Sequence, residues 1–195
     1  MLSKKQKFIK RLFDLVASVV ILLILITPII VLIIIAAFST RSSGVFVQQR
    51  IGLNGILFPL YKIKTLKGKE HKDIFEIYKN ETNFGSWLRK SKLDELPQLF
   101  NVINGTMSLV GPRPDVPGYA DLLKNDDRVV LSIRPGITGP ATIKYKNEDQ
   151  ILAKQENPNN YNDTVIWPDK IEINKAYVIS WSFLKDIGYL LVSLR

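Results

Sequence analysis

Within RKSKLDELPQLFN, residues 89–101, two acids, Asp94 and Glu95, stand side by side, behind a basic run and ahead of Pro97. The chain has no cysteine and one histidine, His71, set in the polar run KGKEHKD. That excludes a thiolate nucleophile, a cysteine-ligated metal and any site needing several imidazoles. The reactive groups that remain are carboxylates, lysines, hydroxyls and a bound metal. A carboxylate that attacks phosphorus gives an acyl phosphate. Adjacent residues on a helix diverge by about 100°, so Asp94 and Glu95 are poorly placed to share one proton and must take different roles. One can attack while the other orients it, relays a proton or helps hold Mg²⁺, a hard cation that prefers oxygen ligands. Lys62, Lys64, Arg89 and Arg113 are the basic candidates for neutralising phosphate oxygens.

The same acids have a bland explanation. Asp94 can be a helix N-cap with Pro97 in the first turn, or Ser91 can cap while Asp94 closes a capping box. Either way, free backbone donors, the helix dipole and the nearby cations Arg89, Lys90 and Lys92 favour an ionised Asp94. A cap and a nucleophile call on the same physics, so the residues leave both readings open.

Composition narrows the partners. A chain of 195 residues, 46% hydrophobic and 23% charged, can bury one sizeable core. Its net charge of +9 calls for an anionic partner, whether nucleic acid, an anionic lipid surface or a phosphorylated small molecule. The lack of cysteine is compatible with a reducing, cytoplasm-facing domain.

The elements that position the acids begin with an apolar segment. Leu15 to Phe38 is 24 residues without a charge, about 36 Å as a helix against roughly 30 Å of hydrocarbon. It exceeds a secretory apolar region of about 7–15 residues, so a retained membrane segment is expected. Pro28 removes a backbone donor near its middle and frees the carbonyl of Ile24, while the Thr27 hydroxyl can bond back to a preceding carbonyl. Lys4, Lys5, Lys7, Lys10 and Arg11 precede the segment, and Arg41 and Arg50 follow it. Positive charge on both flanks fits a helix that enters, breaks at Thr27-Pro28 and returns; a kinked spanning helix is the other reading.

Residues 39–66 read as a linker, a strand, a turn at Asn54-Gly55 and a second strand, a β-hairpin. Residues 67–83 read as a charged loop, and Leu93, Leu96, Leu99, Phe100 and Ile103 fall at helical spacing. NGTMSLVGPRPDVPGY and RPGITGP read as two glycine-proline loops flanking a helix near Tyr119 to Val130. Residues 144–174 read as a polar excursion before a last helix over 174–195, whose apolar side carries Trp181, Leu184, Ile187, Leu191 and Leu194. That helix either lies on a membrane interface or packs on the domain.

Taken in order, KRLFDLVAS, the Thr27-Pro28 break, GVFVQQRIGLNG, YKIKTL, RKSKLDELPQLFNVINGTMSLVGPRP, RPGITG and YVISWSFLKDI cover nearly the whole chain. In this order and spacing the chain resembles the monotopic phosphoglycosyl transferases, bacterial sugar transferases that begin lipid-linked glycan assembly such as exopolysaccharide and capsule. The resemblance implies transfer of a phospho-sugar from a UDP-sugar to a polyprenyl (undecaprenyl) phosphate, with release of UMP and dependence on Mg²⁺. It makes Asp94 the nucleophile that carries the phospho-sugar covalently and Glu95 its partner, both acids standing at the metal. It makes Arg113 a phosphate ligand and Thr27-Pro28 the point of membrane re-entry. Lys64 stands where many members carry Arg, Thr106 where Asp is frequent, and Pro140 where Leu is common, substitutions that could bear on which sugar is accepted.

The expectation is therefore an α+β chain. A small, mostly helical cytoplasmic domain with a short β-hairpin, residues 41–195, is anchored by a re-entrant membrane helix within residues 1–40 and by interfacial amphipathic helices. It would sit at the cytoplasmic face of the bacterial inner membrane, with membrane lipids, downstream glycosyltransferases and a second copy of the chain as further partners. The competing reading is a non-enzymatic, membrane-anchored adaptor that uses its charge on anionic lipid or nucleic acid. No zinc or glycine-rich nucleotide signature supports nucleic acid as a partner.

Overall fold

The computed structural model describes residues 2–68, 76 and 79–193. His71, most of the charged stretch after Gly68, and Leu194 lie outside the described residues.

The chain starts with α1, Lys4–Thr40, 37 residues long. Ser3 opens it through a reciprocal capping box with Gln6, and Arg41 closes it in the left-handed conformation, φ 53°. Helical backbone continues through Thr27 and Pro28, both exposed, so that Lys4–Thr40 is one helix with an internal proline at the expected turning point. The lost donor costs one bond to Ile24, and the turns on either side hold the helix together.

Along one side of α1, Lys10, Asp14, Ser18, Ile29, Ala36 and Thr40 are buried. Its first half packs Phe13, Ala17, Ile21 and Leu22 on the main core, and its second half packs Leu32, Ile33 and Ala36 around Ile63 and Leu88. Both halves thus rest on the same body. The opposite side presents Phe8, Leu12, Val16, Leu23, Ile24, Ile34 and Phe38 to the outside.

The expected hairpin is present. β1, Val45–Ile51, pairs antiparallel with β2, Leu57–Ile63, so that Arg50 faces Phe58 and Phe46 faces Lys62. Asn54 and Gly55 turn it with φ 58° and 83°, the left-handed region in which Asn and Gly are tolerated.

After the hairpin, α2, Asn83–Ser91, is capped by the Thr82 hydroxyl and stopped by Lys92, φ 59°. A three-residue 3₁₀ turn, Leu93–Glu95, leads into α3, Gln98–Ile103. α3 is fixed to the edge of β2 by Asn101, which accepts from the Tyr61 amide at 3.1 Å and donates to the Pro59 carbonyl at 2.7 Å. Arg11 of α1 donates to the carbonyls of Val102 and Ile103, at the helix end where a cation is favoured.

The two glycine-proline stretches prove to be more than loops. Each carries a short strand, β3, Ser108–Val110, and β4, Gly136–Thr138, and the two pair in parallel. The Gly111 amide donates to Thr138 and the Gly136 amide to Pro112, a backbone approach so close that a Cβ on Gly136 would collide with the Gly111 amide. The helix expected near Tyr119 to Val130 is instead two 3₁₀ segments, Ala120–Leu122 and Asn125–Ser132.

The polar excursion is helical: α4, Pro140–Lys144; α5, Glu148–Leu152; and α6, Pro158–Tyr161, which runs through a π turn into α7, Trp167–Ile179. The single last helix is corrected to two, because α7 ends at Ile179 and α8, Phe183–Ser193, starts afresh. The restart turns Asp186 inward. It is 2% exposed and takes bonds from Lys10 Nζ at 2.6 Å, Tyr177 Oη at 2.6 Å and Trp181 Nε1 at 3.0 Å. Leu184 and Leu191, by contrast, stay exposed, and Trp181 is in the core. Asp14 joins this buried polar seam by accepting from Ser108 Oγ at 2.7 Å and the Leu109 amide at 3.1 Å, which ties α1 to β3.

Candidate active site

Three elements build the site of the acid pair. β2 supplies Lys62, the 3₁₀ turn supplies Asp94 and Glu95, and the segment leaving β3 supplies Arg113. Because Lys92 ends α2 in a left-handed conformation, the next residues form a separate tight turn rather than the first turn of a long helix. Neither acid makes a side-chain capping bond there, which removes the cap reading of Asp94.

Both acids are buried, Asp94 at 7% and Glu95 at 8% exposure, with opposite surroundings. Glu95 Oε1 accepts from Lys62 Nζ at 2.7 Å and from Arg113 Nη2 at 3.0 Å. Burial alone would raise its carboxyl, but Arg113 and Lys62, by charge and by hydrogen bond, outweigh that and hold it well below the usual carboxylate range. Asp94 Oδ1 has no hydrogen-bond partner among the described residues. Burial pushes the Asp94 carboxyl upward; Lys62, Lys92 and Arg89 pull it down and Glu95 pushes it up, and the net is a rise. One carboxylate is thus locked and charged, and its neighbour has an unpartnered oxygen and is costly to ionise.

Lys62 is engaged with Glu95, and burial lowers its pKa even though Glu95 opposes the shift. Arg113 keeps a 37% exposed side chain while bonded to Glu95, which leaves guanidinium donors for an anion. Arg89 acts on Asp94 from a distance, its own guanidinium being directed to Asp149 at 3.0 Å and Glu81 at 3.6 Å. Lys64 lies one residue beyond β2 and forms no ion pair among the described residues. The structure therefore gathers Lys62, Asp94, Glu95 and Arg113 into one site and keeps Arg89 at its margin, while Lys64 bonds neither acid.

Sequence reasoning missed the other side of Arg113. Asp115 and Glu148 act on Arg113, and Arg50 bonds the Pro114 carbonyl at 3.3 Å. Lys170 holds both oxygens of Glu148, at 2.6 and 2.7 Å. The alternation of VFVQQRI against LFPLYKI could have placed Arg50 on the face of Lys62 once the turn at Asn54-Gly55 was fixed. Nothing local in the sequence marks Glu148 and Lys170, which come from the excursion.

For a hard divalent cation the donor set is two adjacent carboxylates, one with an orphaned oxygen. No cluster of three metal-ligating side chains occurs among the described residues. That suits Mg²⁺, which is commonly held by one or two carboxylates together with substrate phosphates and waters.

The sequence model described as bacterial sugar transferase matches residues 5–195. An uncharacterized sugar transferase EpsL of Bacillus subtilis is 36% identical over 193 residues, 96% of this chain and 86% of that protein. A UDP-glucose:undecaprenyl-phosphate glucose-1-phosphate transferase of Klebsiella pneumoniae is 34% identical, over 95% of this chain and 39% of its own length. An undecaprenyl-phosphate galactose phosphotransferase of Salmonella typhimurium is 29% identical, over 96% of this chain and 40% of its length. The chain thus spans about two fifths of these two larger relatives.

Proposed function

The chain belongs to the bacterial sugar transferase family, and from that premise we propose that it moves a sugar phosphate from a UDP-sugar onto undecaprenyl phosphate. Family membership makes it a transferase and sets aside the non-enzymatic adaptor. The observation that carries the finer reading is the contrast within the acid pair: Asp94 Oδ1 is buried and unpartnered, while Glu95 is held ionised by Lys62 and Arg113.

An Asp94 carboxylate oxygen attacks the β-phosphorus of the donor. The bond from that phosphorus to the oxygen bridging to the α-phosphate breaks, and UMP leaves with the electron pair. Asp94 is left as an acyl phosphate bearing the sugar. A phosphate oxygen of the lipid then attacks the same phosphorus, the aspartyl oxygen departs as carboxylate, and polyprenyl-diphospho-sugar forms. Arg113 and Lys62 neutralise the phosphoryl oxygens during both displacements, and Glu95 fixes the two cations at the spacing they need. Asp94 and Glu95 would also hold Mg²⁺, which supplies further neutralisation of the donor's diphosphate.

The layout suits a reaction at a membrane surface. α1 is long and apolar enough to cross a bilayer by length and composition. That both of its halves pack on the same body supports a helix that enters and leaves on one face, the cytoplasmic face of the bacterial inner membrane, with Thr27-Pro28 at its deepest point.

Purified full-length protein given Mg²⁺, undecaprenyl phosphate and a panel of UDP-sugars should release UMP with at least one donor. Folded protein that is silent with every donor would defeat this reading.

A further inference from the structure

Arg50 is a guanidinium with no carboxylate bonded to it among the described residues. Its Nη2 donates to Gln48 Oε1 at 2.7 Å and its Nη1 to the Pro114 carbonyl at 3.3 Å, while its Nε is buried with no partner. It makes no ion pair among the described residues, and the residue after its Pro114 contact, Asp115, bonds back to β1 through its carbonyl rather than through its carboxylate. A second guanidinium, Arg113, acts on it as a like charge, opposed by the carboxylates of Asp115 and Glu95, neither of which bonds it.

The hairpin register sets the geometry. Arg50 faces Phe58 and Phe46 faces Lys62, so Arg50, Gln48 and Lys62 project from one face of the hairpin. Four residues of strand separate the Arg50 and Lys62 positions, about 13 Å. Glu95 and Arg113 fill the interval, since Glu95 bonds Lys62 at one end and the segment of Arg113 meets Arg50 at the other. The result is a rail of three cations with a single locked carboxylate between the first two. The two phosphates of a diphosphate share one bridging oxygen and are shorter than the whole rail, so they match its Arg113–Arg50 part.

We propose that Arg50 is a second anion ligand of this site, binding the nucleotide-side phosphate of a nucleoside diphosphate donor while Arg113 takes the phosphate that is transferred. The assignment deepens the functional reading above and rests on it. Burial and then the proximity of Arg113 push the Arg50 guanidinium down to about 10 against the pull of Asp115 and Glu95, so a bound anion would favour its charged form. Gln48 acts as a positioning residue, holding one edge of the guanidinium so that the fork is set before the donor arrives.

The test titrates inorganic pyrophosphate and, separately, orthophosphate into the full chain in phosphatidylcholine nanodiscs, so that no anionic headgroup competes. Wild type should bind pyrophosphate more tightly than orthophosphate. Arg50→Met should weaken pyrophosphate about tenfold and orthophosphate little. Arg50→Lys should recover part of the loss, and Gln48→Leu, which leaves every charge in place, should show a smaller loss. Absence of pyrophosphate binding by wild type, or unchanged binding by folded Arg50→Met, overturns the inference. UMP release by wild type separates the two ideas: turnover that ignores Arg50→Met sinks the inference alone, and pyrophosphate binding that needs Arg50 without turnover on any UDP-sugar sinks the functional reading alone.

Discussion

Asp94 and Glu95 are neighbours in the chain and nearly equal in burial, yet Glu95 Oε1 is shared by two cations and Asp94 Oδ1 by none. That asymmetry separates attack from support.

Asp94→Asn should abolish UMP release and leave no covalent sugar-phosphate adduct in an intact-mass measurement, where wild type should form one. Burial opposes charge at Asp94, so removing the charge should raise stability by about 1 kcal/mol, or about 2–4 °C in Tm. An adduct that survives in the variant would remove Asp94 as nucleophile.

Glu95→Gln removes the anion between Lys62 and Arg113 and leaves two cations facing each other, one of them with a side chain only 17% exposed. Breaking such a pair from one side costs about 3–5 kcal/mol. Denaturant unfolding should show the loss, and Lys62→Met in the same chain should restore part of it. Strict additivity of the two changes would mean that the pair is not coupled.

Asp115 provides a pH signature. Its carboxyl, mainly through burial, is raised from 3.8 to about 6, so between these values the folded chain keeps a proton that the unfolded chain has released. Stability contributed by Asp115 therefore falls as pH rises from about 4 to about 6. Asp115→Asn should lack that slope and be more stable than wild type above pH 6 by about 1–3 kcal/mol. Parallel pH profiles for the two proteins would refute the assignment.

Asn101 closes the edge of β2 with two bonds, so Asn101→Ala should cost about 1–3 kcal/mol by leaving the Tyr61 amide and Pro59 carbonyl unpaired. Because α3 follows directly on the acid pair, turnover should fall more than the loss of folded protein accounts for. Equal losses in both would make Asn101 a purely structural residue.

What the sequence made legible was local or ordered. Asn-Gly between alternating strands gave the hairpin, the uncharged run gave α1, and the succession of motifs gave the acids and Arg113. What it hid depended on distant partners. Asp186 reads as a charge that should stay in water, and it is buried because Lys10, from the other end of the chain, meets it together with Tyr177 and Trp181. The glycines around β3 and β4 read as loop residues because their reason, a backbone contact between segments about 25 residues apart, has no periodicity to betray it. Arg50 could be assigned to a face only once the strand register was known.

The Lys10–Asp186 pair also bears on how this enzyme can be handled. The first helix is more than a tether that a bench scientist could trade for a foreign leader or trim away. A soluble fragment starting at Arg41 would carry Asp186 as a buried carboxylate stripped of its cation, and it would lose the Asp14 contacts that steady the strand running toward Arg113. Chimeras that exchange this helix should keep Lys10, Arg11 and Asp14 in register, whatever apolar sequence fills the rest.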